Sequence, residues 1–366
     1  MLLFTSDVDG GNRERTIAMP NRSTFQGWRT GPRLNAFASF FEETARGMTG
    51  KPDLGDVWPD TELIGEDLDC QLFLDTQRRL WGAFDHHYFA SIPFRLEEEA
   101  RLGSAILRYV QNLWGRDQRA ASVYTLGAGT GCLARTLAKI GDGRILTLNC
   151  SPTPANQASF NAKRGSEYAH FFLGAFFELD AARYAADPSL QIFQDGFDLL
   201  MEDTTFQMYG PDRAAQLAFI APRVRPGGIL IQVEKLSHPE PSAYALRERQ
   251  KDEQFKSRFF SSSQIDLKRS EILRTMEECE VSLKSTIAAL SLEFSFSVLT
   301  WNCGNFYTIM SSNSLEALGH IVRLMIPPAV PPEFCYENIV RFWSDGSERP
   351  VPLNWVWRSS SPPFQI

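Results

Sequence analysis

The run Val123-Tyr-Thr-Leu-Gly127-Ala128-Gly129-Thr-Gly131-Cys132 places glycines at alternate positions, and apolar residues then recur at helical spacing through Ile140. Glycines at such a bend remove Cβ atoms, so a ligand can lie against bare backbone beside a helix N-terminus. Further along, Glu202-Asp203-Thr204-Thr205-Phe206 sets two adjacent carboxylates at the end of an apolar run. Carboxylates so placed are candidates for general-base chemistry, although Asp203 would also serve as a cap for the next turn. Upstream lies Trp81-Gly-Ala-Phe-Asp-His86-His87-Tyr88-Phe89, followed by Arg95. An unperturbed imidazole titrates near neutrality, which makes His86 or His87 a second candidate base; paired histidines equally suit a helix surface or a satisfied helix end. Arg95 could hold a carboxylate, or form a surface ion pair.

These groups need elements to position them. From Val123 short apolar runs alternate with helical segments: strands over Val123–Leu126, Arg144–Asn149, Ala169–Leu173, Phe197–Met201 and Gly228–Glu234, with helices over Cys132–Ile140, Pro154–Lys163 and Asp212–Val224 between them. That rhythm predicts a parallel sheet with right-handed crossovers and a ligand at the carboxyl ends of the strands. Earlier helices are expected over Leu34–Met48, Gln71–Phe84 and Leu96–Leu113. The charged stretch Ala245–Arg258 reads as a solvated helix face, with a lid or dimer contact as the other reading. A helix over Gln264–Cys279 precedes alternating runs at Leu292–Trp301 and Asn305–Met310, which would close the sheet with an antiparallel pair around Gly304. Turn chemistry accounts for Asn302, Gly304 and Asn305, although Trp301 and Asn302 could also line a substrate pocket. The tail after Pro327 is rich in Pro and Ser, yet Trp343, Trp355 and Trp357 predict that it packs on the body. The expected organisation is an N-terminal extension over 1–65, a helical cap over 66–122, the α/β core over 123–326 and the tail over 327–366.

A chain of 366 residues with 43% apolar content can build a large core. A net charge of −7 and a pI near 5.4 argue against nucleic acid or an acidic membrane as partner. The opening Met1–Asp9 lacks the basic stretch of a secretory signal, so a cytoplasmic location is the expectation. Six scattered cysteines without a C-x-x-C pair, and five histidines, suggest neither a disulfide scaffold nor a metal site.

Taken together the motifs resemble the class I S-adenosylmethionine (SAM)-dependent methyltransferase superfamily. Dinucleotide sites use Gly-x-Gly-x-x-Gly and SAM sites Gly-x-Gly-x-Gly; with Gly131 followed by Cys132, the second fits. Leu126-Gly-Ala-Gly-Thr-Gly131 resembles the family's first motif, and Ile145-Leu-Thr-Leu-Asn149-Cys150-Ser151-Pro152 the strand that ends in its ribose-binding residue. Phe197-Asp-Leu-Leu-Met201 resembles its fourth strand, and Ala221-Pro-Arg-Val-Arg-Pro-Gly-Gly228 the turn into the fifth. The resemblance implies a Rossmann-like α/β sheet, mostly parallel with an antiparallel last strand and helices on both faces, flanked by an N-terminal helical extension and a C-terminal tail. It implies SAM as cofactor, with S-adenosyl-L-homocysteine as product, held by Thr125, Gly127, Ala128, Gly129, Gly131, Asn149, Cys150, Ser151, Ala175, Phe176 and Glu202. Thr125 and Asn149 stand where the family usually has acids, and a neutral amide is a weaker acceptor than a carboxylate. A slot between Cys150 and Ala175 or Phe176 is the expected adenine pocket, with ordinary core packing as the other reading for Phe176.

The implied reaction is metal-independent methyl transfer to oxygen or nitrogen of a small-molecule acceptor. Asp203, Glu202, His86 and His87 are the candidate catalytic groups, and Tyr88, Phe206, Trp301 and Asn302 the candidate substrate contacts. Two other readings stay open. Asp203-Thr-Thr-Phe-Gln-Met-Tyr-Gly-Pro211 loosely resembles the corresponding stretch of spermidine-synthase-type aminopropyltransferases, and Thr125 with Asn149 would suit a non-catalytic binding protein on the same fold. Nothing in the sequence sets the oligomeric state.

Overall fold

A computed structural model describes residues 20–358. The Met1–Asp9 reading, and parts of the expected extension and tail, therefore lie outside the described residues. The strands are β1 (Ala121–Leu126), β2 (Ile145–Ser151), β3 (Ala169–Leu173), β4 (Phe197–Asp203), β5 (Val224–Lys235), β6 (Phe296–Cys303), β7 (Phe306–Ser312), β8 (Arg341–Ser344) and β9 (Ser347–Arg349). They form one mixed sheet in the order β3-β2-β1-β4-β5-β7-β6-β8-β9. β1 to β5 pair in parallel, whereas β7 runs antiparallel to both β5 and β6. The closing hairpin turns at Gly304, where φ is +58°. The tail lengthens the sheet beyond the expected set, since β8 pairs antiparallel with β6 and β9 with β8.

Alternation along the central strands divides the core in two. Leu199, Met201, Ile229 and Ile231 face one layer, which includes the helices Leu68–Leu80, Arg95–Asp117, Cys132–Gly141 and Leu315–Leu324. Leu200 and Leu230 face the other, with Leu217, Ile220, Ile287 and Leu290 from the helices Arg213–Ile220 and Leu283–Glu293. A period of two puts successive side chains on opposite faces, which is why strands buried on both sides read as continuous apolar runs. Trp355 packs where a Cβ on Gly319 would lie 2.3 Å from its indole nitrogen, and Trp357 lies over Arg101 at 4.8 Å, so the tail rests on the first layer.

The charged stretch departs in part from the solvated face predicted for it: Arg249, Glu253 and Arg258 are exposed, but four other charged residues are not. Helix Pro241–Gln250 runs into a wide turn over Lys251–Phe255, and Arg247, Lys251, Asp252 and Lys256 are buried. Lys256 Nζ is 2.9 Å from Asp252 and Lys251 pairs with Glu248, whereas Arg247 donates to the Gly304 carbonyl and the Tyr307 hydroxyl.

The helix Arg95–Asp117 is buried on all sides over its first four turns and carries Glu97, Glu98 and Glu99 in the first of them. Glu97 Oε1 accepts the Asp60 N–H at 2.7 Å, and burial pushes its carboxyl up to about 7. An acid raised in the folded state holds its proton better there than in the unfolded chain. Its contribution therefore favours folding at low pH and fades as pH rises from the ordinary carboxyl range to about 7. Glu97→Gln keeps an acceptor for Asp60 and cannot ionise. It is expected to flatten the fall in stability between pH ~5 and ~8 by up to roughly 3 kcal/mol. Urea midpoints at the two pH values give the difference, and equal slopes in both proteins would refute it.

Candidate functional site

The glycine turn leaves β1 through left-handed backbone at Gly127, Gly129 and Gly131, with φ of +67°, +52° and +67°. A Cβ on Gly131 would lie 2.8 Å from Asn149 Cγ, so the loop can close against β2 only because that atom is missing. The bend opens on a cavity at the carboxyl end of the parallel strands. Its wall takes in Gly127, Ala128 and Gly129 from the loop, Asp203 from the end of β4, Thr204 and Gln207 from the turn that follows, and His87 and Tyr88 from the helix Ala83–Ser91. The helix Ser262–Lys268 and the turn that follows it add Lys268, Ile272 and Leu273.

At the end of β4 the two carboxylates do different things. Asp203 Oδ2 accepts from Arg95 Nη2 at 2.9 Å and Oδ1 accepts the Tyr88 hydroxyl hydrogen, so both oxygens are engaged. Arg95 is fully buried and also lies 3.0 Å from Glu99, so it is not a surface ion pair; its Nη1 has no hydrogen-bond partner among the described residues, and the side chain does not line the cavity. Glu202 sits behind the cavity wall, where its Oε1 accepts the N–H groups of Thr205 and Phe206 and so shapes the turn. Burial, and the neighbouring Glu234, raise its carboxyl well above the usual range.

The two histidines separate as well. His86 is exposed, with its ring 4.9 Å from Trp81, and stands outside this cavity. His87 is enclosed, and its Nδ1 lies 2.6 Å from the Gly50 carbonyl oxygen. A carbonyl only accepts, so Nδ1 carries the proton and Nε2 presents a lone pair to Lys268 Nζ at 2.6 Å. Burial, reinforced by Lys268, holds His87 well below its ordinary titration range. The imidazole is neutral, and its basic nitrogen is occupied.

The positions expected to hold the adenosine end of SAM are spoken for by the protein itself. Asn149 Oδ1 accepts from Thr125 Oγ1 at 2.8 Å and its Nδ2 donates to the Gly129 carbonyl at 3.1 Å. The two residues that replace the family's acids thus bond to each other and pin the loop. Ser151 Oγ accepts from Asn156, Cys150 Sγ meets the Tyr124 hydroxyl, and Ala175 is fully buried. Phe176 packs in an aromatic cluster whose nearest members include Trp28, at 5.3 Å. Trp28 and Arg33 belong to the segment spanning the helices Arg22–Arg29 and Ala38–Ala45, which covers this side. Arg33 Nη2 donates to Thr153 Oγ1 at 2.6 Å, and a Cβ on Gly31 would come within 3.0 Å of the Tyr209 backbone. As arranged, the cavity opens beside Gly127–Gly129, while the side of Asn149, Cys150 and Phe176 is covered by Trp28 and its aromatic neighbours.

Of the expected substrate contacts, Tyr88 lines the cavity. Phe206 is buried against Phe176. Trp301 is buried in the first core layer, and Asn302 closes the β6–β7 hairpin by donating to the carbonyls of Gly304 and Phe306. Neither Trp301 nor Asn302 lines the cavity. Asp85 is a group that the sequence reading passed over. Its oxygens accept from Thr130 Oγ1 at 2.7 and 2.8 Å and from Gly82 N–H at 2.7 Å, so a carboxylate from the preceding helix clamps the glycine loop. The available signal was its place three residues after Gly82, where an acid reaches back to the start of its helix. Gln207 is another: its Oε1 is buried without a partner in the cavity wall.

No protein-family model matches the chain, and no curated protein matches it. Among solved structures it is similar to the plantazolicin methyltransferase BpumL in complex with SAH, at 9% identity and a TM-score of 0.41 over 67% of this chain and 96% of that one. It is similar to a possible exported protein from Bordetella parapertussis at 13% identity and a TM-score of 0.41, over 67% and 79% of the two chains. A third, the CurJ carbon methyltransferase, shows 12% identity and a TM-score of 0.38 over 67% and 68%. Backbones this distant leave the sheet order as the basis of the fold assignment. Among the described residues no helix is long and apolar enough to cross a membrane.

Proposed function

We propose that the chain is a SAM-dependent methyltransferase acting on oxygen or nitrogen of a small molecule. The reading is carried by one coincidence: the glycine turn after β1 and the residues at and just after the end of β4 wall the same cavity, at the carboxyl edge of the parallel strands of the nine-stranded sheet. SAM, when bound, would supply an electrophilic methyl group. The chain's own part is alignment and exclusion of water, which in well-oriented systems contributes about 7–11 kcal/mol. Phe84, Tyr88 and Met208 give the cavity apolar walls, and the unpartnered Gln207 Oε1 can accept a hydrogen from the acceptor's N–H or O–H. Asp203 acts through Arg95 and Tyr88 as a positioning residue. Binding of the adenosine end requires the Trp28–Arg33 segment to move away.

A second reading, a binding protein that keeps the fold without SAM, draws on the Thr125–Asn149 bond and the covered adenosine side. Isothermal titration with SAM, S-adenosyl-L-homocysteine and decarboxylated SAM separates the alternatives. Binding of the first two supports methyl transfer, preference for the decarboxylated form supports aminopropyl transfer, and no heat with any of them leaves the binding protein. Gly129→Val would place a Cβ 2.5 Å from the Phe84 ring at a φ of +52°. It is expected to abolish S-adenosyl-L-homocysteine binding in protein that is folded by circular dichroism, and unchanged affinity would remove the loop from the cofactor site.

A further inference from the structure

The cavity is rich in buried cations. Lys235, Lys251, Lys256 and Lys268 all reach its wall, as does Arg33. Three of the lysines have carboxylates: Lys235 Nζ is 3.1 Å from Glu248 and 2.9 Å from Glu280, Lys251 shares Glu248, and Lys256 is 2.9 Å from Asp252. Those acids are stretched thin, since Glu248 serves two lysines and Asp252 also holds Arg269 at 2.6 Å.

Lys268 has none. Its Nζ donates to His87 Nε2 at 2.6 Å and to Ser91 Oγ at 2.9 Å, and both partners are neutral. The Ser91 hydroxyl gives its own hydrogen to the His87 carbonyl at 2.7 Å, so toward Lys268 it can only accept. Arg33 is in the same state on the other covering segment, bonded to the Thr153 hydroxyl and lying 4.0 Å over the Phe41 ring. Among the described residues neither Lys268 nor Arg33 forms an ion pair, although both are enclosed. Enclosure without a counter-charge is costly for Arg33 and disfavours the protonated form of Lys268, and a ligand that supplies the negative charge relieves both. The surrounding wall is apolar: Phe40, Phe84, Ile272, Leu273 and Met276.

We propose that this cavity binds a small organic anion, its carboxylate or phosphate held by Lys268 beside Lys256 and its apolar body against Phe40, Phe84 and Leu273. The inference rests on Lys268 and Arg33, which have no counter-charge among the described residues, since Asp85, Glu99 and Asp203 in the same wall are engaged by Thr130, Gln77, Arg95 and Tyr88. It holds without methyl transfer, and if the chain is a methyltransferase, the anion is the acceptor. Burial, with Lys256 and Lys251 nearby and Asp252 opposing them, lowers the Lys268 ammonium well below its ordinary range. The arriving anion reverses that effect, so binding draws a proton onto Lys268.

The test is isothermal titration of phenyl phosphate, benzoate and the neutral isostere benzamide, each in Tris and in PIPES. At least one anion is expected to bind roughly tenfold or more tightly than benzamide. Uptake of a proton should appear as a difference in heat between the two buffers, and the tighter anion identifies the headgroup. Lys268→Met should weaken that anion by roughly tenfold and remove the proton uptake, with benzamide unchanged. Benzamide binding as tightly as both anions in the unmodified protein would overturn the proposal, as would unchanged anion affinity in folded Lys268→Met. The titration is repeated with saturating S-adenosyl-L-homocysteine. Loss of anion binding there would assign the lysines to the cofactor's own carboxylate and overturn the acceptor assignment.

Discussion

Asp203→Ala is expected to cost the fold about 3–5 kcal/mol, because it breaks a buried ion pair and leaves the cation behind. Arg95 has no exposed surface; its Nη2 lies 2.9 Å from Asp203 and 3.0 Å from Glu99, and its Nε donates to the Tyr88 hydroxyl at 3.1 Å. Without Asp203 the guanidinium keeps Glu99 as its only ion-pair partner among the described residues, whose carboxyl burial pushes up to about 8, and the Tyr88 hydroxyl loses its acceptor. Against a total of about 5–15 kcal/mol for a typical domain, that is a large share. Asp203→Asn retains an acceptor for Tyr88 and should lose less. Urea unfolding of both variants measures the difference, and a loss below ~1 kcal/mol in Asp203→Ala would show that the pair is dispensable. The comparison also bears on chemistry. An Asp203→Asn protein that folds and still turns over would confirm Asp203 as a positioning group, whereas a folded but inactive one would make it a base.

Trp28→Ala is expected to release the segment that covers the adenosine side. The indole packs against Phe25, Phe176, Phe177 and Phe219 at ring distances of 5.3 to 5.9 Å. Truncating such a side chain costs about 3–5 kcal/mol where the gap cannot close. The loss falls on the docking of residues 22–45 and leaves the sheet intact, so local opening precedes global unfolding. Two readouts follow: faster proteolysis within 22–45, and S-adenosyl-L-homocysteine affinity raised by roughly tenfold, since a ligand binds more tightly when the competent state is more populated. Unchanged proteolysis would mean that Trp28 is not what holds the cover. Faster proteolysis with unchanged affinity would mean that the covered slot is not the adenosine site.

Much of the sheet is legible along the chain. The runs read as strands at 123–126, 144–149, 169–173, 197–201 and 228–234 coincide with β1 to β5 within a few residues, apart from the earlier start of β5 at Val224. Helix Cys132–Gly141 starts directly after Gly131, and Pro154 opens the helix to Ala162. The least legible stretch was Leu283–Glu293, a helix capped by Ser282, because alternation at 292–296 suggested a strand beginning inside it. The helix expected over Gln264–Cys279 is interrupted by a wide turn at Arg269–Leu273, which no single residue there announces.

What the sequence by itself determined, then, is where ligand-facing backbone can occur: a strand, three glycines and a helix start, each a local matter of periodicity and sterics. What only the tertiary structure decided is the fate of each charged or polar side chain. Spacing places Asn149 where a ribose contact is expected, and only the fold shows that Thr125 from the neighbouring strand donates to its oxygen. The lysines at 251 and 256 looked solvated, and Glu248 and Asp252 allow them inside. Lys268 is one cation among many in the chain until His87 and Ser91, nearly two hundred residues earlier, close around it. Burial of a charge depends on partners distant in sequence, so spacing alone cannot foretell it.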